Sequence, residues 1–431
     1  MRSVNTPLCF GLFLGILIPL LGAPTLAQAA RNLTWLESVL EAARGNSELR
    51  AARENLYALQ YTREGADSTF LPQVSGSLDY TYGNRSNPSI LGVVESAKSN
   101  YSLSIAATEN LFNGFQDRAK IEQATANFRI SEATYDTAKA RLSFDLKSAF
   151  ATLVFAQRSV KLEDQIIQRR RENLKLVGLR FQSGRENKGS VLLSKAYFNQ
   201  AGYHALQARN SVSVAQAQLA RILGRDDDVE IALVDDIPLE EPPPEPAFRK
   251  LALLTPDHRQ AVAQEDAADA AVTIARSTFF PTIGLTANAG RADQDFFPKT
   301  DRWSVGATIG IPLYNGGRDQ SATKSAIASV LASAYTRQNG DRQSIAKLHQ
   351  SYTGFVESIE KLKVDQSFLE AALKRSEIAR SKYNNGLMTF EDWDLIENDL
   401  IARETAVLQS QKDRATAEAA WQQAQGQGVF R

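Results

Sequence analysis

The sequence contains little of the chemistry on which most enzymes depend. Among its 431 residues are one cysteine, Cys9, and three histidines, His204, His258 and His349. The histidines lie far apart in the chain, with no partners at the spacing of a metal site. No glycine-rich phosphate loop and no nucleophile elbow follows a predicted strand. We therefore expect no catalytic site, no cofactor and no metal site.

The chain also lacks an excess of either charge. The 49 Lys and Arg residues balance the 49 Asp and Glu residues, so the formal net charge is +0. Nucleic-acid binding depends on a basic surface, and this balance argues against it. Apolar residues make up 43% of the chain, which argues against wholesale disorder. The composition indicates a folded protein whose partners are not nucleic acids.

Long apolar runs are absent after the N-terminus. The apolar run Leu8–Leu21 is followed by small residues that end in Ala27-Gln28-Ala29. This pattern predicts a signal peptide over residues 1–29, cleaved after Ala29; an uncleaved anchor is the alternative, but the run is short for one. Because Cys9 lies inside the signal, the mature chain would carry no disulfide and no thiol-linked lipid. Any later passage through a membrane would have to use β-strands.

The rest of the chain is a repeat. The phrase LFNGFQD at 111–117 returns as LYNGGRD at 313–319, and other landmarks recur around it. The paired landmarks are Pro72 and Pro281, Leu111 and Leu313, and Gly184 and Gly386. The last two pairs are 202 residues apart, whereas the prolines are 209 apart. Loops accept insertions and rigid elements resist them. The offsets therefore predict a duplicated domain, with a rigid segment after each phrase and a variable loop before it.

Four stretches alternate between apolar and polar residues, as strands with one wet face do. They are predicted near 72–83, 100–112, 281–290 and 302–312. Each is about ten residues long, which suits a tilted strand that crosses a bilayer. Polar loops at 83–100 and 290–301 would join them in pairs. A soluble β-sandwich is the alternative, but its core face should carry more large apolar residues.

Aromatic residues collect at both ends of these strands. Toward the loops lie Tyr80, Tyr82, Tyr101, Phe296, Phe297 and Trp303, and at the opposite rim lie Phe70, Phe112, Phe279, Phe280 and Tyr314. Two aromatic girdles around an apolar band are typical of an outer-membrane barrel. Four strands cannot close a barrel, so the chain must share one with copies of itself. Two copies would fill the interior with side chains, and three would leave room for water.

Long proline-free stretches follow each Asn-Gly phrase and predict helices. The predicted helices are a long helix at 114–183 with a return helix at 189–223, and a long helix at 316–385 with a return helix at 389–424. A helix of roughly 70 residues would be about 100 Å long, which suits a coiled coil rather than one globular core. Shorter helices are expected at 35–65 and 257–277.

The two phrases mark the joins between strand and helix. Asn113-Gly114 and Asn315-Gly316 end the strands, and the asparagines are predicted to cap the long helices. The domains are then 30–224 and 249–431. The acidic, proline-rich segment 225–248 between them is expected to be a solvated linker.

In this order and duplicated, these features resemble the TolC-like outer-membrane efflux protein family (outer membrane factors). The resemblance rests on Phe-Leu-Pro at 70–72, Phe-Pro at 280–281, both Asn-Gly phrases and the two turn glycines. It implies a mixed, mainly α fold in which a homotrimer forms a 12-stranded outer-membrane β-barrel continued by a periplasmic α-helical barrel. It also implies a Gram-negative outer membrane, a periplasmic adaptor (membrane fusion) protein and an inner-membrane RND, ABC or MFS transporter.

The resemblance further implies roles for the two helix–helix turns, which close the pore and meet the adaptor. Gly184 and Gly386 match the turn glycines, Tyr383 a gating tyrosine and Asp392 an acidic gate position. The further candidates are Arg185, Glu186, Lys188 and Leu387 for adaptor contact, and Asp394 and Ser190 for the gate. This chain departs from the family at Met388, where a gating arginine is expected, at Leu395, where an acid is expected next to Asp394, and at Ser190, where the first repeat is expected to carry an acid.

Two questions stay open at this level. Asp392 would form a ring of three carboxylates in a trimer, which favours cations, but Glu391, Asp392 and Asp394 can also simply cap the return helix. The cargo is also open between multidrug efflux and type I secretion. A secreted coiled-coil scaffold without channel activity is the rival to the exit duct.

Overall fold

The computed structural model describes residues 31–89, 92–225 and 231–430, and the side chains of Arg31, 84–89 and 92–97 are outside that description. The predicted signal peptide therefore lies outside the described residues. What is described is mainly helical, with one four-stranded sheet and a second sheet of two short strands. None of the described helices is both long enough and apolar enough to cross a membrane.

The elements follow the repeat. The helices are α1 (Trp35–Gly45), α2 (Ser47–Ala66), α3 (Gln116–Gln182), α4 (Lys188–Leu223), α5 (Phe248–Ala252), α6 (Pro256–Ser277), α7 (Arg318–Asn384) and α8 (Phe390–Ala424). The strands are β1 (Arg31–Leu33), β2 (Gln73–Ser89), β3 (Gly92–Asn113), β4 (Ile231–Leu233), β5 (Thr282–Asp293) and β6 (Asp301–Gly310).

The large sheet is antiparallel, in the order β2-β3-β5-β6. One rung runs through Val74, Ala107, Ala287 and Val305, so one face is apolar across all four strands. The neighbouring rung runs through Ser75, Ala106, Asn288 and Ser304 on the polar face. Within the described chain, the outer edges of β2 and β6 have no partner strand.

The first hairpin is longer than predicted. The sequence predicts a polar loop at residues 83–100, but β2 and β3 stay paired as far as Ser89 and Gly92. A ladder needs an apolar face only where it contacts lipid or a core, so beyond that region polar residues can continue it. The second hairpin follows the prediction more closely, with β5 ending at Asp293 and β6 starting at Asp301.

Glycine geometry makes the strand-to-helix joins. Gly114 has φ +67° and Phe115 is also left-handed, and Gly316 and Gly317 repeat this pair. A Cβ on Gly114 would lie 2.5 Å from the carbonyl oxygen of Ser277, so only glycine fits there.

The predicted capping role of the asparagines needs correction, because the cap positions are Phe115 and Gly317. The Asn113 side chain still accepts the N–H of Asp117 at 3.2 Å, whereas the Asn315 amide donates to the Asp319 carboxylate at 2.7 Å.

The single helix predicted at 35–65 is two helices that meet at Asn46. The Asn46 side chain accepts the N–H of Leu49 at 2.9 Å and donates to the carbonyl of Ile222 at 2.9 Å. One buried amide therefore starts α2 and ties it to the end of α4. Asparagine is a strong N-cap, and this signal within an otherwise helical pattern was overlooked.

Long helices pack as two antiparallel hairpins, α3 with α4 and α7 with α8, and α3 also contacts α6 and α8. Small residues at seven-residue intervals line the buried faces of α3 and α6. They are Ala119, Ala126, Ala133 and Ala140 on α3, and Ala263, Ala270 and Ser277 on α6. Such spacing keeps one face of each helix against its neighbour and lets the backbones approach closely.

The connection between the repeats is largely exposed, as expected of a solvated linker, but it is also bound to the helices at several points. Its strand β4 pairs in parallel with β1. Farther along, the Asp236 carboxylate accepts two bonds from Arg158 of α3, at 2.6 and 2.7 Å, and the Pro243 carbonyl accepts the Tyr352 hydroxyl of α7. An extended proline-rich segment leaves its carbonyls free, so they and its acidic side chains can bind donors on the helices.

A buried ion pair lies beneath this connection. The Lys147 ammonium of α3 is 2.6 Å from the Glu418 carboxylate of α8, and both side chains are almost fully buried. The second oxygen of Glu418 accepts the backbone N–H of Glu240 at 3.2 Å. The pair therefore joins both repeats and the connection at one point.

Two variants isolate the cost of leaving this ammonium unpaired. Glu418→Leu should destabilise the protein strongly, by about 3–5 kcal/mol, because Lys147 then keeps a buried charge without its partner. Lys147→Met/Glu418→Leu loses the same contact to Glu240 but carries no buried charge, so most of the stability should return. Thermal unfolding in detergent, followed by circular dichroism, compares the two. Equal melting temperatures for both variants would contradict this role of the pair.

Candidate functional site at the helix–helix turns

Both helix–helix turns use the same backbone device. Gly184 and Gly386 are left-handed, with φ +73° and +76°. The N–H of Gly184 donates to Phe181 and that of Arg185 to Arg180, and residues 386 and 387 repeat these bonds to residues 383 and 382. This double bond pattern ends a helix and satisfies its last carbonyls, and its left-handed residue is usually glycine.

Each return helix then starts at a polar cap. Asn187 accepts the N–H of Ser190 at 2.9 Å, and Thr389 accepts the N–H of Asp392 at 3.1 Å. The Asp392 carboxylate also accepts the Thr389 hydroxyl at 2.9 Å. The cap of α8 is therefore Thr389, and the Asp392 carboxylate lies in the first turn, bound to the capping hydroxyl and still exposed. A trimeric carboxylate ring stays a prediction, because it needs further copies of the chain.

Tyr383 is buried where the two turns meet. The Tyr383 ring stacks on Trp393, with 4.4 Å between the two ring centroids. The guanidinium of Arg180, which belongs to the other hairpin, lies 4.6 Å from the centroid of the Tyr383 ring. Arg180 also donates to the Tyr383 carbonyl at 2.7 Å, and the Tyr383 hydroxyl donates to Glu186 at 3.0 Å. Burial, together with this bond to Glu186, raises the pKa of Tyr383 well above its ordinary value.

Glu186 connects several residues that the sequence singled out separately. One of its oxygens accepts the Ser190 hydroxyl at 2.9 Å and the N–H of Asn187 at 3.1 Å, while the other accepts Tyr383. The structure therefore brings Tyr383, Ser190 and Glu186 into one network between the two turns.

Asp394 faces the other hairpin as half of an ion pair. Its carboxylate is 3.1 Å from the Arg170 guanidinium of α3 and accepts the Asn398 amide at 2.9 Å. Arg170 also bonds to Asn398, and its guanidinium lies 4.7 Å from the centre of the Tyr197 ring. Asp394 is thus a neutralised, buried carboxylate in this chain.

Sequence reasoning missed the basic partners in this region. Arg169 binds Glu404 of α8 through both terminal guanidinium nitrogens, and the Arg380 guanidinium of α7 lies 2.8 Å from the Glu172 carboxylate of α3. The hydrogen bond from Arg380 lowers the pKa of Glu172. The run Arg169-Arg170-Arg171 could have indicated these partners. Three successive residues cannot share one helix face, so at least one arginine had to face a neighbouring helix.

Other predicted residues are accessible at the turns. Arg185, Lys188 and Leu387 are exposed, and the Leu387 side chain is 75% exposed. Met388 packs partly against the cluster that contains Tyr383, and Leu395 is exposed.

The three histidines do not form a site. His258 is 2.7 Å from Asp341, His349 lies against the Phe248 ring at 3.7 Å, and His204 is beside Tyr203. Among the described residues, no group of His, Cys, Asp and Glu could hold a metal ion.

Comparison with known proteins gives the family. The model of a family described as "Outer membrane efflux protein" matches residues 39–225 and 249–427, so the chain belongs to this family. The outer membrane protein TolC of Escherichia coli is 24% identical over 396 residues, which cover 87% of this chain and 78% of TolC. The alkaline protease secretion protein AprF of Pseudomonas aeruginosa is 23% identical over 285 residues, 63% of this chain but only 58% of AprF.

A solved structure agrees with the fold. The outer membrane protein VceC from Vibrio cholerae matches with a TM-score of 0.80 at 21% identity, covering 91% of this chain and 96% of VceC. The mainly helical outer-membrane channel fold is thus confirmed. The protein is an exit channel of the outer membrane with a large periplasmic portion, and it is not an enzyme. The family favours the duct over the scaffold alternative.

The Tyr383 hydroxyl should titrate abnormally. Because its pKa is raised above 10.0, the bond to Glu186 stabilises the fold fully below pH 10, and this contribution is lost as the pH rises further. Absorbance of tyrosinate near 295 nm, measured for wild type and Tyr383→Phe, isolates this group. The absorbance of wild type minus that of Tyr383→Phe should not change up to pH 10 and should rise only at higher pH. A difference that rises with an ordinary midpoint near pH 10 would contradict the buried hydrogen bond.

Proposed function

We propose that three copies of this chain close into one duct. A twelve-stranded barrel in the outer membrane would be continued by a twelve-helix tunnel through the periplasm. The duct carries small molecules or proteins outwards from an inner-membrane transporter, to which a periplasmic adaptor connects it. The turns around Gly184 and Gly386 form its periplasmic tip.

One observation carries this proposal: the second repeat lacks contacts that the first repeat has. The long helix α3 packs on α6 and α8, and β3 pairs with β5. The equivalent partners of α7 are α2 and α4, and that of β6 is β2. In the described chain β6 and β2 are not paired, and α7 makes no comparable contact with α2 or α4. The first repeat of a neighbouring copy would supply all three partners.

The repeat offsets also give the register between copies. Within the chain, Ile105 of β3 faces Ala289 of β5. The residue of β6 equivalent to Ile105 is 202 positions later, Ala307, and the residue of β2 equivalent to Ala289 is 209 positions earlier, Tyr80. If β6 of one copy pairs with β2 of the next as β3 pairs with β5, Ala307 faces Tyr80. On the helices, α7 leaves Ile327, Leu331 and Tyr335 exposed on one face, and α2 leaves Tyr57 and Tyr61 exposed.

The polar face of the sheet supports three copies rather than two. A barrel of eight strands is filled by its own side chains, whereas the polar face here carries small residues such as Ser77, Ser104 and Gly290. Twelve strands leave a passage for water that such residues suit.

The family and the exposed turns support the proposed partners and cargo. The exposed Arg185, Lys188 and Leu387 are the side chains that an adaptor would meet first. The name of AprF refers to secretion of a protease, and we extend type I secretion to this chain together with multidrug efflux. Choice of cargo belongs to the transporter, since a passive duct of this kind selects little.

Cross-linking tests the proposed assembly. After replacement or removal of Cys9, Tyr80→Cys/Ala307→Cys should be joined between chains by a short thiol-reactive linker. Denaturing gels should then contain covalent dimers and trimers and no larger species. The matched pair Ile105→Cys/Ala289→Cys should react only within one chain and run as a monomer. Val74→Cys/Ala307→Cys, six residues out of register, should not react. Monomers in the first case, or a tetramer, would contradict the proposal.

The acidic ring needs a separate test. Asp392→Ala should raise single-channel conductance or remove block by divalent cations, because three carboxylates would no longer line the tip. Asp392→Asn keeps an oxygen that can accept the Thr389 hydroxyl but carries no charge, so it should also lose the block while keeping the melting temperature. Planar-bilayer recordings with and without magnesium measure both. Unchanged block in Asp392→Asn would leave capping as the role of Asp392.

A further inference from the structure

We propose that this chain binds a small amphipathic carboxylate in a cavity beneath the connection between the repeats. The cavity lies within one chain, where the connection crosses the long helix α3 and the return helix α8. None of the residues that line it belongs to the helix–helix turns. The inference does not depend on the trimer proposed above, and the two can fail separately.

The body of the cavity is apolar. Its volume is about 210 Å³, and it is partly open to solvent. Its walls include Val154 and Phe155 of α3, Leu362 of α7, Leu408 of α8 and Ile237 of the connection. An apolar lining with a few polar groups is typical of a small-molecule site. These walls favour a compact hydrocarbon body over a sugar or a nucleotide.

Two cations line the same cavity, Arg158 of α3 and Lys412 of α8. The Lys412 ammonium lies 5.0 Å from the centroid of the Phe155 ring, and within the described chain it has no carboxylate partner. Arg158 donates to Gln411 at 3.0 Å and to the exposed Asp236 carboxylate at 2.6 and 2.7 Å. Because Asp236 is the one acid in the lining, the cavity carries an excess of one positive charge.

A ligand with a carboxylate head and an apolar body would complement both features. Its carboxylate would accept a hydrogen bond from the Lys412 ammonium, which is half-buried beside an apolar space and lacks a counter-ion. Arg158 could join it by exchanging the exposed Asp236 for the ligand. Hydrogen bonds of this charge-assisted kind are stronger than neutral ones. The hydrocarbon body would lie against Val154 and Leu408, out of water.

The other repeat has no equivalent pair of cations. The offset of 202 carries Arg158 to Glu360 of α7 and Lys412 to Asn210 of α4. An acid thus replaces one cation, and a neutral amide replaces the other. We therefore expect one site in each chain.

Calorimetric titration of the purified protein in lipid nanodiscs with 2-naphthoate tests the proposed site. We expect saturable binding of one naphthoate for each chain. The amine 2-naphthylmethylamine has the same rings but a positive charge. It should bind at least about tenfold more weakly, because the lining already carries an excess positive charge.

Two charge variants should shift the affinity for naphthoate in opposite directions. Lys412→Gln should weaken binding at least about tenfold, because a charge-assisted hydrogen bond is lost. Asp236→Asn should strengthen binding, because Arg158 no longer has a competing carboxylate. Leu408→Trp fills the cavity and should abolish binding. The matched control is Lys161→Gln, which removes an exposed lysine of α3 outside the cavity and should bind as wild type does.

Lack of saturable binding to wild type would overturn the inference, as would equal affinities for naphthoate and the amine. Equal affinities of wild type and Lys412→Gln would also overturn it, because the carboxylate would then bind elsewhere. Lys412 and Asp236 are at least partly exposed, so both charge variants should melt close to wild type when unfolding is followed by circular dichroism.

Discussion

Unpaired backbone groups at a sheet edge cannot stay in lipid, and the rest of the structure depends on this constraint. Without water, each free N–H and C=O in a bilayer costs several kcal/mol. The edges of β2 and β6 are free within the described chain, and the apolar face of the sheet spans all four strands. This constraint supports the proposal that further copies of the chain cover these edges.

Duplication supplies the other surfaces but does not make the two repeats equal. The first long helix is covered by other helices of the chain and carries buried alanines at heptad spacing. The second long helix presents its equivalent face outwards. Near the turns the difference is chemical, since the ion pairs Arg170–Asp394 and Arg169–Glu404 occupy positions whose repeat equivalents are Ala372, Leu192, Ala371 and Gly202. The repeats thus share a fold but not their side-chain contacts.

Sequence periodicity predicted the helices, the strands and the turns well, because each depends on local patterns. Gly184 and Gly386 lie at left-handed turns, as their fixed offset indicated. Contacts between distant segments were not readable in this way. The ion pair of Arg170 with Asp394 joins residues 224 positions apart, and no local pattern marks it. The contacts of the connection were not predictable for a similar reason, since its acidic residues find their partners only after the helices have packed.

A reconstruction of the purified full-length protein by electron cryo-microscopy would test the central claim most directly. The account predicts three copies around one axis, with β2 of each copy paired to β6 of the next and α4 against α7. Val364, Phe368 and Leu192 should then be buried between copies. Single chains, two-fold particles, or three copies that meet through other surfaces would contradict it.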